Sequence, residues 1–486
     1  MGVARKLVLP VFEVTEIAKA GDAEAIAVCV PPSDITPGAN YHIRPVLVAE
    51  TGDRRDGKPR WARHQFNLFP IVLGGDGVPW AEANIYVLAR LEGTVQPSMA
   101  TFAAIAEDLA AYRRFLDETG VDWLEFPKHK LDRPTYRYYG HLKYAAGAGE
   151  IAAGTAKRRM SAVIGFYRWL RSEEVLAPAN TPWKESDRFI EFKDTRGFSA
   201  QKKVITTDIS INIPKQIDPY DGRINDGGKL RPLPMEEQVW LAEALEAAGN
   251  PEMTLAHLMP WLTGARIQTV LTFRVRHALL NVDDMQGPEL RFPIGPGTGI
   301  DTKNDKQMVL HIPVWFYQQL QTYACSNRAR KRREKAAGND TEDQYLFLSV
   351  RGEPLYRSKE DARTFDAANQ LHHAKVGQGV RQFITERIIP YVRAKHGVPQ
   401  FHYQYHDMRA TFGMNLTDHW LQLVDKKEAT LHQVREFVKT RMGHASAATT
   451  DLYLQYRQNL KFVRQVGEDY EGHLRELTEH AIRKLA

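Results

Sequence analysis

The chain has 486 residues, 43% hydrophobic and 26% charged, with a formal net charge of +6. That length exceeds one compact domain and points to two or three, built like an ordinary globular protein with a real core. No apolar run approaches the roughly 18 residues of a membrane span, the start lacks a basic-then-apolar leader pattern, and two distant cysteines, Cys29 and Cys325, exclude a disulfide framework or a cysteine-rich zinc site. A reducing cytoplasm is therefore the expected location, with no membrane partner. The mild basic surplus admits an acidic partner such as nucleic acid without requiring one.

Residues 1–97 carry short apolar runs, AIAVCVPP and NLFPIVLGG, broken by the turn signals PPSD and GGDG. They predict a partly β N-terminal module with no chemical signature. From Ser98 the period changes. Phe102, Ile105, Leu109, Tyr112 and Phe115 recur at steps of three and four, predicting an amphipathic helix. Further helices are expected from about Thr135 and over Thr155–Leu170, so 98–177 reads as a helical domain. The last of these helices opens with Lys157, Arg158 and Arg159. Residues 155–203, which also include Lys202 and Lys203, hold 11 Lys or Arg against 6 Asp or Glu. Such a run is either a solvated face or a surface for DNA phosphates.

Residues 178–232, rich in Pro, Gly, Asp and Lys, read as an extended linker with a strand-like stretch, ITTDISINI. A mainly helical domain is predicted over 233–465, interrupted by a β-like segment near 288–313. A C-terminal helix is expected over 466–486. The basic cluster RARKRREK at 328–335 reads first as a solvated helix and second as a phosphate-facing patch.

Four short segments could carry chemistry. In WLTGARIQTVLTFRV, Arg266 follows a glycine turn at the start of an apolar helix, a spot suited to an anion. In DTKNDKQMVLHIP, Lys303 sits in a polar turn ahead of an apolar strand; such a lysine is usually only solvated, but at a hairpin tip it could donate a proton. In YQYHDMRATFGMNL, His406 and Arg409 are three apart and share a helix face. His402 and His406 are four apart, but Tyr403 stands where a metalloprotease has glutamate, so zinc is a poor reading. In RMGHASAATTDLYLQY, Gly443–His444 ends one helix, Ser446 is a plausible N-cap, and Tyr453 lies two turns into the next, with Tyr456 as its rival.

Taken together, Arg266, Lys303, His406-x-x-Arg409, Gly443–His444 and Tyr453 resemble the tyrosine recombinase (phage integrase) family, of the kind carried by mobile elements. The TGARI, TK, HDMR, MGH and TTDLY segments match its blocks in type, order and final spacing across roughly 98–465. The resemblance implies a helical core-binding (SAM-like) DNA-binding domain at 98–177, with Lys157, Arg158, Arg159, Lys202 and Lys203 as DNA-contact candidates, and a mixed α/β catalytic domain at 233–465. The whole is then mainly α, with a small sheet or hairpin in the catalytic domain and a partly β N-terminal module.

The resemblance further implies that Tyr453 attacks a DNA phosphodiester to give a 3′-phosphotyrosyl link and a free 5′-hydroxyl, conserving bond energy without ATP. His406 would assist proton transfer, Lys303 would protonate the leaving oxygen, and Arg266, Arg409 and His444 would stabilise the phosphorane. The arginines take the place of metal, so no metal or other cofactor is expected. The expected partners are double-stranded recombination sites, further copies of the chain, four of them on DNA, and accessory proteins. Leu460, Phe462, Val463, Val466, Leu474 and Leu477 supply apolar surface for a C-terminal helix exchanged between protomers or packed on its own domain.

Three features depart from the simplest family pattern. The acidic residue usual three places after the first arginine is Thr269 here, the span from Arg409 to His444 holds a charged insertion around 420–440, and the N-terminal module and linker are long. Rival readings are a type IB topoisomerase, which shares the tyrosine chemistry but relaxes DNA without exchange, and a catalytically idle DNA-binding regulator. The latter is expected to have lost a clamp or nucleophile residue, and none is missing. An acidic-triad transposase would need clustered carboxylates holding two metal ions, which these blocks lack.

Overall fold

A computed structural model describes residues 2–19, 41–48, 60–62, 64–94, 97–193, 199–212, 222–281, 287–364, 371–457, 459 and 471–473. The chain divides into two compact units, one of residues 1–215 with 363–374, the other of 216–362 with 375–486. The expected C-terminal helix at 466–486 lies, apart from 471–473, outside the described residues.

In the first unit, strand β1 (Arg5–Lys19) pairs antiparallel with both β2 (Tyr41–Val48) and β4 (His64–Leu73), and β3 (Arg60–Ala62) completes the order β3-β2-β1-β4. Phe69 and Val72 of β4 carry this sheet into a helical core. That core is built by α1 (Ala81–Glu92), α2 (Met99–Thr119), α3 (Pro134–Gly147) and α4 (Ala153–Ser172). The stripe read from the sequence is the buried face of α2: Phe102, Leu109, Tyr112 and Phe115 are all buried, with Ile105 packed beside them. Gly120 then ends the helix at φ +63°, a left-handed turn that costs glycine little. Inside the stretch read as an extended linker, Glu185–Lys193 (β5) and Ser199–Thr207 (β6) form an antiparallel hairpin.

The second unit is mostly helical around one small sheet, as the predicted fold class required. Helices α5 (Met235–Ala248) and α6 (Pro251–Thr263) precede the five-residue helix α7 (Ile267–Leu271). Strands β9 (Glu289–Ile294) and β10 (Met308–Pro313) pair antiparallel from Met308↔Ile294 to Pro313↔Glu289. Their alternation turns Leu290, Phe292, Ile294, Leu310 and Ile312 into the core, where each buried aliphatic or aromatic side chain contributes about 1.5–3 kcal/mol. Helices α8 (Val314–Cys325), α9 (Asn327–Arg333), α10 (Lys359–Arg363), α11 (Gln378–Phe383) and α12 (Ile389–His396) follow; α13 (Asp407–Asp425) then lies against α6, and α14 (Leu431–Met442) lies against α13. Near the end of the stretch read as a linker, ahead of α5, a tight turn joins the two-residue strands β7 (Ile224–Asn225) and β8 (Lys229–Leu230).

The basic cluster at 328–335 is divided: Arg328, Arg330, Lys331 and Lys335 are exposed, as the solvated-helix reading expected, while Arg332 and Arg333 are buried. Glu252, buried in the first turn of α6, accepts from Arg328 Nε at 2.7 Å, from Arg332 Nη2 at 3.0 Å and from the Tyr323 hydroxyl at 3.1 Å. Arg333 turns inward to the Ala324 carbonyl. Among the described residues, no helix is long and apolar enough to cross a membrane.

Candidate active site

Each predicted catalytic side chain is positioned by a local device. Gly264 closes α6 at φ +70°, and a Cβ there would stand 2.7 Å from the Phe412 ring, so only glycine lets the chain turn against α13. Two residues on, Arg266 occupies the N-cap of α7. Arg409, one turn into α13, is almost fully buried. Its Nη1 donates to the Gly264 carbonyl at 2.5 Å and its Nη2 to the Met442 carbonyl at 2.7 Å, which ties together the ends of α6 and α14.

Gly443, at φ +61°, ends α14 and delivers His444; a Cβ there would collide with Met308 of β10. Lys306 Nζ donates to the Gly443 carbonyl at 2.8 Å, so the β9–β10 turn and the His444 turn brace each other. Thr450 Oγ1 lies 2.9 Å from His444 Nδ1. Tyr453, in the helix over 447–457, is fully buried. Its ring stacks on His444 with centroids 5.7 Å apart, in space that Gly413 leaves open, since a Cβ at 413 would come within 2.5 Å of the ring.

Thr269, at the position expected to be acidic, is buried and donates to the Asp301 carbonyl at 2.8 Å, fastening α7 to the base of the turn that carries Lys303. Arg266, Thr269, Lys303, Lys306 and Arg409 line one small cleft. His406, at the N-cap of α13, lies among Arg266, Arg409, Lys303 and Arg381. Burial and those four cations push its imidazole down to about 4, so it is neutral near pH 7.

One residue that the sequence reading did not single out sits at the centre. Asp226, buried at the tip of the β7–β8 turn, accepts from Arg409 Nε at 2.7 Å and from Arg266 Nη2 at 3.3 Å. His444 Nε2 and the Tyr453 hydroxyl both approach its Oδ2 at 3.2 Å. Burial alone would raise this carboxyl, but the bond from His444 and the charge of Arg409 hold it well below the usual carboxylate range. Tyr453 responds in the opposite sense: burial first, then the Asp226 charge, push its phenol well above its ordinary value near 10, against the weaker pull of Arg409 and Arg266. The only sequence signal for this turn is Asp-Gly-Gly, which announces a tight turn but not where its tip points.

The DNA-contact candidates lie elsewhere. Lys157 is exposed, while Arg158 Nη1 pairs with the buried Asp108 at 2.9 Å and Arg159 is half-buried nearby. Lys203 pairs with Asp187 on the β5–β6 hairpin at 2.7 Å, and the side chain of Lys202 lies outside the described residues. Among the described residues, no three His, Cys, Asp or Glu side chains converge as a metal cage would require.

No family model matches the chain. A curated protein, the tyrosine recombinase XerC of Bacillus pumilus (strain SAFR-032), is 21% identical over 356 residues, covering 73% of this chain and 86% of that one. Among solved structures, a lambda integrase (residues 75–356) dimer bound to a COC′ core site is 14% identical, covers 77% of this chain and 94% of its own, and gives a TM-score of 0.40. The Tn1549 transposon integrase with a circular-intermediate DNA is 14% identical over 76% of this chain and 93% of its own, with a TM-score of 0.41.

Proposed function

The chain belongs to the tyrosine recombinase family, and from that premise we propose that it is a site-specific DNA recombinase of a mobile element, with Tyr453 as its nucleophile. The observation that carries this reading is the convergence of Arg266, Arg409, His444 and the Tyr453 hydroxyl on one anion-sized seat, occupied here by the Asp226 carboxylate. A phosphodiester in that seat would meet two guanidiniums and an imidazole, with a phenol beside them, as phosphoryl transfer to tyrosine requires.

The reaction then runs as follows. The Tyr453 oxygen attacks phosphorus as its proton passes to neutral His406, and the bond from phosphorus to the 5′-oxygen breaks. Lys303, at the β9–β10 turn, gives the leaving oxygen its proton. Charge on the equatorial oxygens falls to Arg266 and Arg409, which their helix-end carbonyl contacts and cap position keep in place without reorganisation. Rejoining reverses the path with a different 5′-hydroxyl. No step calls for a metal ion or other cofactor.

Residues 233–465 form the catalytic domain in this reading, joined through 178–232 to a DNA-binding domain at 98–177. Lys157, Arg158, Arg159, Lys202 and Lys203 contact the DNA backbone; Lys157, exposed, is the best placed of them, whereas Arg158 also neutralises Asp108. Exchange between two duplexes cuts four strands, so the working form is a tetramer on DNA, in the cytoplasm where such DNA resides. Accessory proteins and the 1–97 module set its context.

Incubating two duplexes that carry the ends of a candidate element separates recombination from relaxation. Recombinant duplexes are expected with the natural protein and none with Tyr453→Phe. Relaxation of supercoiled DNA with no exchanged product would favour the type IB topoisomerase reading instead.

A further inference from the structure

The closed site poses a steric problem. Tyr453 is fully buried, and Arg409 and His444 are nearly so, at 2% and 7% exposure. A DNA phosphate cannot reach any of them until something leaves. The group directly in the way is the Asp226 carboxylate, which presents two anionic oxygens to the same donors a phosphodiester would need.

Resting on the recombinase reading above, we propose that Asp226 is a built-in phosphate mimic: the 222–230 turn plugs the catalytic seat and holds the enzyme shut until DNA displaces it.

A permanent supporting residue would hold the catalytic groups from behind. Those supports are already present elsewhere: Thr450 sits on the far nitrogen of His444, and the Gly264 and Met442 carbonyls hold the terminal nitrogens of Arg409. Asp226 instead takes Arg409 Nε, His444 Nε2 and the nucleophile's own hydroxyl. With DNA bound, its charge would sit between both guanidiniums and the phosphate, where like charges repel.

The turn is also built to seat and to leave. Ile224 and Leu230 are buried and anchor its two arms, and Ile224 packs in the cluster that contains Tyr453. Its tip depends on Gly227 at φ +73°, and a Cβ there would lie 2.8 Å from Lys303 Nζ. The plug therefore touches the nucleophile, the anion clamp and the position of the general acid together. Withdrawal also does more than clear space. It removes the anion that keeps the Tyr453 phenol protonated and leaves the two arginines that favour its ionised form.

Titration of inorganic phosphate by calorimetry tests the plug without requiring any DNA chemistry. Asp226→Asn is expected to bind phosphate at least about tenfold more tightly than the natural protein, because an occupied seat lowers apparent affinity by the fraction that is open. Arg409→Ala in the Asp226→Asn background is expected to abolish that gain, which places the phosphate in this seat. Removing a buried charge can destabilise the fold, so Gly227→Ala, strained at its positive φ but retaining Asp226, provides a second variant with a smaller gain in the same direction. On nicked DNA, both variants are expected to form the covalent adduct faster than the natural protein. Unchanged or weaker phosphate binding in both folded variants overturns the plug, and slower adduct formation with them makes Asp226 a positioning residue. Absence of any Tyr453-dependent adduct counts against the recombinase reading alone, since the phosphate titration still decides the plug.

Discussion

At the scale of single residues, the division of labour between Lys303 and the arginines can be separated by changing the leaving group. In the proposed mechanism the arginines stabilise charge on phosphorus oxygens, while Lys303 acts only on the oxygen that departs. Lys303→Met is therefore expected to slow DNA cleavage by about 10²–10⁴-fold, the range for loss of a general acid. Replacing the bridging 5′-oxygen by sulfur, which leaves readily without a proton, is expected to restore the variant to within about tenfold of the natural protein. Equal impairment on both substrates would mean that Lys303 serves binding and not proton transfer. The six candidate residues could be named from the chain because each lies in a short block whose neighbours, the glycines above all, also have a fixed structural task. Asp226 was not legible. Its meaning comes from where the tip of a turn points, some 180 residues away in sequence from the arginine it meets, and linker composition conceals that.

Among elements, the amphipathic helices and the β9–β10 hairpin follow directly from period and alternation, since burial of one face decides them. Charge patterning served less well. In the basic run at 328–335, six of whose eight residues are cationic, charge alone did not tell the exposed Arg328, Arg330, Lys331 and Lys335 from the buried Arg332 and Arg333. The acid that pairs with two of its arginines, Arg328 and Arg332, is Glu252, on another helix, and no local pattern connects them. Its carboxylate is buried with an arginine pair and a phenol, so neutralising it strands cations in a dry setting. Glu252→Gln is expected to lower unfolding free energy by about 3 kcal/mol, near the lower bound for breaking a buried pair because Arg328 is half exposed and can turn to water. Urea titration measures it. A loss within experimental error would show that the cluster is no more than a surface pair.

For the molecule as a whole, the proposed plug makes the buried seat a resting conformation of the enzyme. Its nucleophile is covered, its clamp is occupied by its own carboxylate, and its candidate general base is neutral. The extended linker expected at 178–232 is instead largely folded: it carries the β5–β6 hairpin, and Trp183, Ile209 and Ile211 pack into the core of the first unit, whose boundary falls near 215. That this stretch supplies a residue to the site was not readable from its composition. The central claim, that Tyr453 is the residue that joins DNA, has a rival one turn away: Tyr456, half-buried, with its hydroxyl 3.4 Å from the Gly222 carbonyl. The decisive measurement is covalent trapping on a nicked duplex carrying the element's end, resolved on a denaturing gel for the natural protein, Tyr453→Phe and Tyr456→Phe. The expected result is an adduct with the natural protein and with Tyr456→Phe, and none with Tyr453→Phe. An adduct that survives in Tyr453→Phe and disappears in Tyr456→Phe would contradict the assignment and move the nucleophile one turn along its helix.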